Sequence, residues 1–429
     1  MTEVADHTDI PLSTLRPDDA SSTSTLTISD GGLRAWLAVL GGYLVIFSTF
    51  GYSNSFGVYQ DYYTLHGSSS SSDISWIGSL QLCLMFAVGL PAGRLFDRGY
   101  FRTTSVAGTL LYSFSLFMLS LASPQKFYQL LLSQGVGMGL GAGLLVVPAM
   151  SLQGHYWKKR RSLAMGLVAA GSGSGGLVYP IMLNRLFNGT LGFAWGVRVS
   201  AFVTFALLVI ASCVMTTRTN GAKEDSQPPQ PHISTVLTDV PYVLLVVGGF
   251  LSLWGLFFPY FYLQVWANVH GLSDNLAFYT IAILNAASVI GRMLPNMIAD
   301  YAGMFNMIIP STFITGALTF AMFGATSPAG VVVFAILYGF FSGASIALLP
   351  PTAASLAKDY HEIGLRLGVI YFVTSFALLT GTPISGALLD VHNQWPGPII
   401  FNAVVLISGS VFMLISRQIL AKRKCVCRI

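Results

Sequence analysis

Twelve long apolar runs separated by short polar breaks constrain this chain more than any other feature. A helix needs about 20 apolar residues to cross a hydrocarbon core of about 30 Å. By that measure the spans are 35–60, 74–95, 103–122, 127–150, 162–187 and 195–216, then 240–267, 275–299, 305–325, 329–351, 364–388 and 397–417. In hydrocarbon every backbone N–H and C=O must find its partner within the protein, so these segments are expected to be helices. The expected fold class is an all-α membrane protein with 12 transmembrane helices. Composition agrees, with 53% hydrophobic and 9% charged residues, against about 25% charged in soluble domains.

Charge sets the sidedness. With both termini cytoplasmic, 18 of the 22 Lys and Arg residues fall in cytoplasmic segments, among them Lys158-Lys159-Arg160-Arg161, Arg366 and Arg417. Lys126, Arg185 and Arg198 lie outside, and Arg292 falls within a span. That skew follows the positive-inside rule, and a multi-pass cell-membrane protein is expected. It also explains the net charge of +5 by topology, so no nucleic-acid partner is expected. The sequon at Asn188 falls in an external loop and is a candidate glycosylation site. Residues 1–33 are rich in Ser, Thr and Asp and lack an apolar run. They predict a disordered cytoplasmic tail without a cleavable signal peptide, the first span acting as an uncleaved signal-anchor. Cys83, Cys213, Cys425 and Cys427 show neither metal-ligand nor disulfide spacing. The last two lie in the basic tail 419–429, as reduced thiols or palmitoylation sites. No metal, cofactor or catalytic constellation is expected, and the chain does not read as an enzyme.

The chain divides in two. Residues 217–238 carry Lys223-Glu224-Asp225 and Pro228-Pro229-Gln230-Pro231, which predict a cytoplasmic linker between six-helix halves at 34–216 and 239–418. Gly93-Arg94-Leu95-Phe96-Asp97-Arg98-Gly99 follows the second span, and Asn296 to Gly303, with Asp300, follows the eighth. Such an internal repeat is typical of transporters. Two six-span halves with this Gly-x-x-x-Asp-Arg loop element resemble the major facilitator superfamily. Asp30-Gly31-Gly32-Leu33-Arg34-Ala35-Trp36 and Tyr156 to Gly171 are similar to the two signatures of its monocarboxylate porter family. Phe257 to Leu263 and Leu276-Ala277-Phe278-Tyr279 resemble that family's fungal branch.

The resemblance implies a monomeric secondary transporter in the lipid bilayer, moving a small organic solute, an organic anion, by alternating access. The alternatives are an efflux carrier for a fungal secondary metabolite and, from another class, a non-transporting nutrient sensor. Arg292 would sit about 12 Å from the membrane interface, eight residues from Asp300. An ionisable residue at that depth usually faces the bundle interior or a watery cavity. Asn285 and Ser288 share its helical face. The family's arginine in this span, which Arg292 resembles, binds the substrate carboxylate. A structural Arg bonded to carbonyls is the competing reading. Two family positions differ, with Ser288 standing for an Asp and Asn54 for a Lys; no Asp or Glu lies deep in a span, so proton coupling is not expected.

Tyr52, Asn54 and Ser55, and the aromatics Trp254, Phe257, Phe258, Tyr260 and Tyr262, are candidate cavity residues. The substrate-binding set is therefore Arg292, Asn285, Ser288, Asn54 and Tyr260. Gly93, Asp97, Arg98 and Asp300 are assigned to gating. Alternate glycines from Gly135 to Gly143 imitate a nucleotide loop but lie in an apolar helix, where small residues serve packing. Gly171 to Gly176 reads the same way, with a hinge as an added role.

Overall fold

A computed structural model describes residues 30–68, 71–217, 233–358, 362–390 and 395–424. Most of the linker, the first 29 residues, Cys425 and Cys427 lie outside these. Among the described residues are twelve helices long and apolar enough to cross a membrane. In the first half they are α1 (Leu33–Leu65), α2 (Asp73–Asp97), α3 (Phe101–Leu121), α4 (Phe127–Tyr156), α5 (Arg161–Phe187) and α6 (Gly192–Val214). In the second they are α7 (Val240–Val269), α8 (Asn275–Ala302), α9 (Met304–Gly324), α10 (Pro328–Ser355), α11 (Ile363–Leu389) and α12 (Pro396–Arg423). The last helix thus continues past 419, where the sequence reading began a tail.

Among the described residues three spans read as continuous are interrupted, α2 at Val88 and α1 and α7 at corresponding places of the two halves. In α1 a wide turn at Phe47–Gly51 precedes a break at Asn54. Ser53 and Ser55 hydroxyls donate to the carbonyls of Thr49 and Tyr52 at 3.1 and 2.5 Å, taking up acceptors the break loosens. In α7 the break falls at Phe257, two residues before Pro259. Proline has no N–H to give the carbonyl one turn back and crowds it.

Glycines let the helices close up. A Cβ at Gly141 would lie 2.6 Å from the Tyr112 nitrogen of α3, and one at Gly143 would lie 2.6 Å from Val88 Cβ of α2. The α4 glycines are therefore packing residues on two faces. The Gly171 to Gly176 stretch lies in an uninterrupted helix, and Gly171 packs on the Tyr43 carbonyl of α1, closer than a Cβ permits.

One charge has a role that the charge count did not give it. Arg366, counted with the cytoplasmic cations at the edge of the 364–388 span, is 1% exposed inside the start of α11. Its guanidinium donates to Asp239 and Glu362, both at 3.0 Å, and lies 4.9 Å from the Tyr242 ring centroid. Four residues put Glu362 and Arg366 on one helical face, and folding brings Asp239, before α7, onto the pair.

Candidate functional site

The halves meet along two seams, α5 against α8 and α2 against α11. They differ in chemistry. On α8, Asn285, Ser288, Arg292, Asn296 and Asp300 recur every three or four residues and form one polar line. The first four are at most 1% exposed. Opposite them, α5 offers Ala169, Ser172, Gly173 and Gly176. A Cβ on Gly173 would come within 2.9 Å of Ser288 Oγ and 3.1 Å of Arg292 Nη1. One on Gly176 would stand 2.9 Å from both Asn285 Oδ1 and Asn54 Nδ2.

Arg292 reaches across this seam. Its Nη1 donates to Ser172 Oγ and, at 3.4 Å, to the Ala169 carbonyl. The Tyr260 hydroxyl stands against the same guanidinium and 3.2 Å from Ser342 Oγ on α10. Asn54, at the α1 break, donates to the Ser172 carbonyl at 3.2 Å. Ser288 Oγ is tied to its own helix, donating to the Asn285 carbonyl at 2.8 Å. All five residues nominated from sequence for substrate therefore converge, on elements from both halves. Two buried polar atoms among them lack a partner, the Arg292 Nε donor and the Asn285 Oδ1 acceptor. A buried polar group left unmade costs about 1–3 kcal/mol, more when charged.

Aromatic rings lie next to this polar cluster. Phe50 of α1 is 6.0 Å from Phe86 of α2 and 6.3 Å from Phe257 of α7, while Phe86 is 4.8 Å from Tyr371 of α11. Phe257 is 5.6 Å from Tyr260, so the rings run up to the Arg292 cluster. Leu82, Trp254, Phe257, Phe261 and Thr382 line a cleft of about 10 Å3, room for about one water. Cargo must part the halves to enter it. Of the other aromatic candidates, Phe258 packs into the core of the second half, and Tyr262 packs on Phe258. Tyr52 turns to α6, its hydroxyl 2.9 Å from Ser200 Oγ. Ser55 is spent on the backbone. Phe50, Phe86, Tyr371 and Ser172 were not singled out from sequence; Gly51 beside Phe50, which packs against Gly175, was the available signal.

At the end carrying Lys158 to Arg161, called here the basic end, two carboxylates bind helix starts across the halves. Asp97 of α2 accepts the N–H groups of Gly364 and Leu365 at 3.1 and 2.7 Å. Asp300 of α8 accepts those of Ser162 and Leu163, both at 2.9 Å. A helix N-terminus has free N–H groups and a positive dipole end, so it holds a carboxylate. Gly93 packs on the Gly364 carbonyl, closer than a Cβ permits. Arg98 follows as the exposed C-cap of the helix ending at Asp97. Asn188 is exposed at the end of α5.

Residues 39–326 match the sequence profile of the Major Facilitator Superfamily. The chain belongs to that superfamily. As a major facilitator protein it is a secondary transporter. Its fold is similar to that of the E. coli fucose:proton symporter, with a TM-score of 0.68 at 14% identity over 89% of this chain and 98% of that one. The aspyridones efflux protein of Emericella nidulans is 41% identical over 397 residues, covering 91% of this facilitator and 79% of the relative. The agnestins efflux protein of Paecilomyces divaricatus is 38% identical over 420 residues, 95% of each chain. Neither name is that of a monocarboxylate porter.

Proposed function

We propose that this transporter exports an aromatic organic anion, gripping it at Arg292 and stacking it on the neighbouring rings. One observation carries the reading: Arg292 and Asn285, two turns apart on one face of α8, keep an unmade donor and an unmade acceptor in the buried seam. A carboxylate or enolate presents acceptors to a guanidinium, which binds them in a two-pronged, charge-assisted way. A hydroxyl or N–H on the same cargo satisfies Asn285. The rings of Phe50, Phe86, Phe257 and Tyr371 suit a flat molecule. The efflux names of relatives support outward transport and favour a carrier over the nutrient sensor. On this reading the monocarboxylate-porter likeness of the signatures reports shared architecture and the anionic handle, not a small monocarboxylate as cargo.

In the same proposal the basic end is cytoplasmic, residues 217–238 link the halves there, and the Asn188 end faces outward from the cell membrane. With Asp97 and Asp300 seated, the basic end is closed. Anion binding at Arg292 competes with Ser172 and Ala169 for the guanidinium and loosens the α5–α8 seam. Comparison of metabolites retained by cells with and without the gene identifies the cargo. Arg292→Lys then lowers its export about 10-fold or more and Arg292→Gln nearly abolishes it, at matched surface levels. Full export of an anionic cargo by Arg292→Gln overturns the proposal.

A further inference from the structure

At the basic end, apart from the seams, the starts of α1 and α5 enclose a recess of about 330 Å3 lined by Asp30, Gly31, Trp36, Trp157, Lys159 and Arg160. Asp30 does not make it acidic. Its carboxylate accepts the backbone N–H groups of Lys158, Lys159 and Arg160 at 2.8, 2.6 and 3.1 Å. The helix-start amides are thus filled from within, and the three side chains stay exposed. Exposed Arg34, four residues after Asp30, adds a cation on the α1 side. The ion pairs at Arg366 and Arg423 involve none of these four.

The walls are aromatic. Trp36 is 49% exposed and meets Trp157 edge-on, with ring centroids 5.2 Å apart. Trp157 is 3% exposed, yet its indole N–H has no acceptor. Leu33, one turn before Trp36, is 78% exposed. The recess lies where two apolar spans give way to cations, the depth at which indoles meet lipid headgroups.

We propose that this recess is a headgroup site for an anionic phospholipid. The phosphate pairs with Lys159 and Arg160, and a phosphate or ester oxygen takes the Trp157 N–H. The glycerol and first acyl carbons lie along Trp36 and Leu33. A free anion would use the cations and leave that apolar surface uncovered, so the lipid is the better fit. Basic pockets beside membrane helices bind such headgroups, and each cation near the surface adds to the attraction.

The test uses the full chain purified and reconstituted in phosphatidylcholine with and without phosphatidylserine, counting retained lipids by native mass spectrometry. The wild type retains phosphatidylserine in preference to phosphatidylcholine. The double variant Lys159→Gln with Arg160→Gln lowers that preference about 30-fold. Trp36→Ala, which keeps every cation, lowers it severalfold, and Arg102→Gln on exposed α3 leaves it unchanged. Thermal melting in phosphatidylcholine checks that each variant is folded. An unaltered preference in the double variant, or an equal loss in Arg102→Gln, overturns the proposal. Displacement of phosphatidylserine by millimolar inorganic phosphate also overturns it, since the recess would then be a small-anion site.

Discussion

Asp97→Asn isolates what one carboxylate contributes to closing the basic end. Asp97 accepts two N–H groups at the start of α11, from Gly364 and Leu365. An asparagine is nearly isosteric, but one of its two atoms is itself a donor. It keeps one bond, to a neutral acceptor, and turns an NH2 group towards the other N–H. Losing a hydrogen bond to a charged group costs about 1.5–3 kcal/mol, and the helix-dipole contribution adds about 0.3–1 kcal/mol. Taking about 2 kcal/mol, the ratio of closed to open forms at the basic end falls about 30-fold. Amide hydrogen exchange reads this directly, because Gly364 and Leu365 are the groups released. Their exchange should accelerate about 30-fold in a folded variant, with transport slowed. Asp300→Asn should do less at Ser162 and Leu163. That seam is also held by Ser162 Oγ donating to Asn296 at 2.8 Å and by Arg292 on Ser172. Unchanged exchange at Gly364 and Leu365 in a folded Asp97→Asn protein would refute the reasoning.

Arg366→Met leaves buried Glu362 with the Lys358 N–H alone and Asp239 with exposed Arg423, and should lower stability by about 3 kcal/mol; thermal melting measures it, and adding Glu362→Gln should recover part of the loss. Gly93→Ala drives a methyl into the Gly364 carbonyl and should block full closure and transport. Gly176→Ala meets the side-chain ends of Asn285 and Asn54 at 2.9 Å and the Asn54 Cβ at 3.1 Å; it should lower the melting temperature by several degrees while changing cargo affinity. With no carboxylate deep in a span, initial transport rates should depend only weakly on an imposed proton gradient. A proton flux stoichiometric with cargo in proteoliposomes would contradict that.

Sequence showed most of the fold and picked out the residues that converge at the candidate site's polar cluster, for reasons particular residues explain. Hydropathy found twelve spans because each must satisfy its backbone alone, and the spacing of Asn285, Ser288 and Arg292 put them on one face before any contact was known. The Asp97 and Asp300 loops were legible as a repeat, although their partners, amides more than 130 residues away in each case, were not. The burial of Arg366 was not legible, because a cation at a span's edge looks like a topology signal until Asp239 is folded onto it. The break at Asn54 was hidden because Ser53 and Ser55 repair it with side-chain hydroxyls, whereas Pro259 was a visible warning of the break in α7. Phe50, Phe86 and Tyr371 come from three helices. Nothing in their local sequence distinguishes them from rings that face lipid.

The α2–α11 seam closes on absent side chains. A Cβ at Gly368 would lie 2.9 Å from the Gly89 carbonyl oxygen, as Gly93 meets Gly364 a turn away. Such a joint holds no information about cargo and leaves no room to be enlarged. Of the rings beside it, Tyr371 packs on Gly89 of the joint itself, while Phe86 meets the Tyr371 ring from α2. If the rings hold cargo as proposed, divergence in this architecture can retarget the carrier at rings set off from the glycines while the joint stays as it is, so that a lineage acquires new cargoes without first losing the ability to shut.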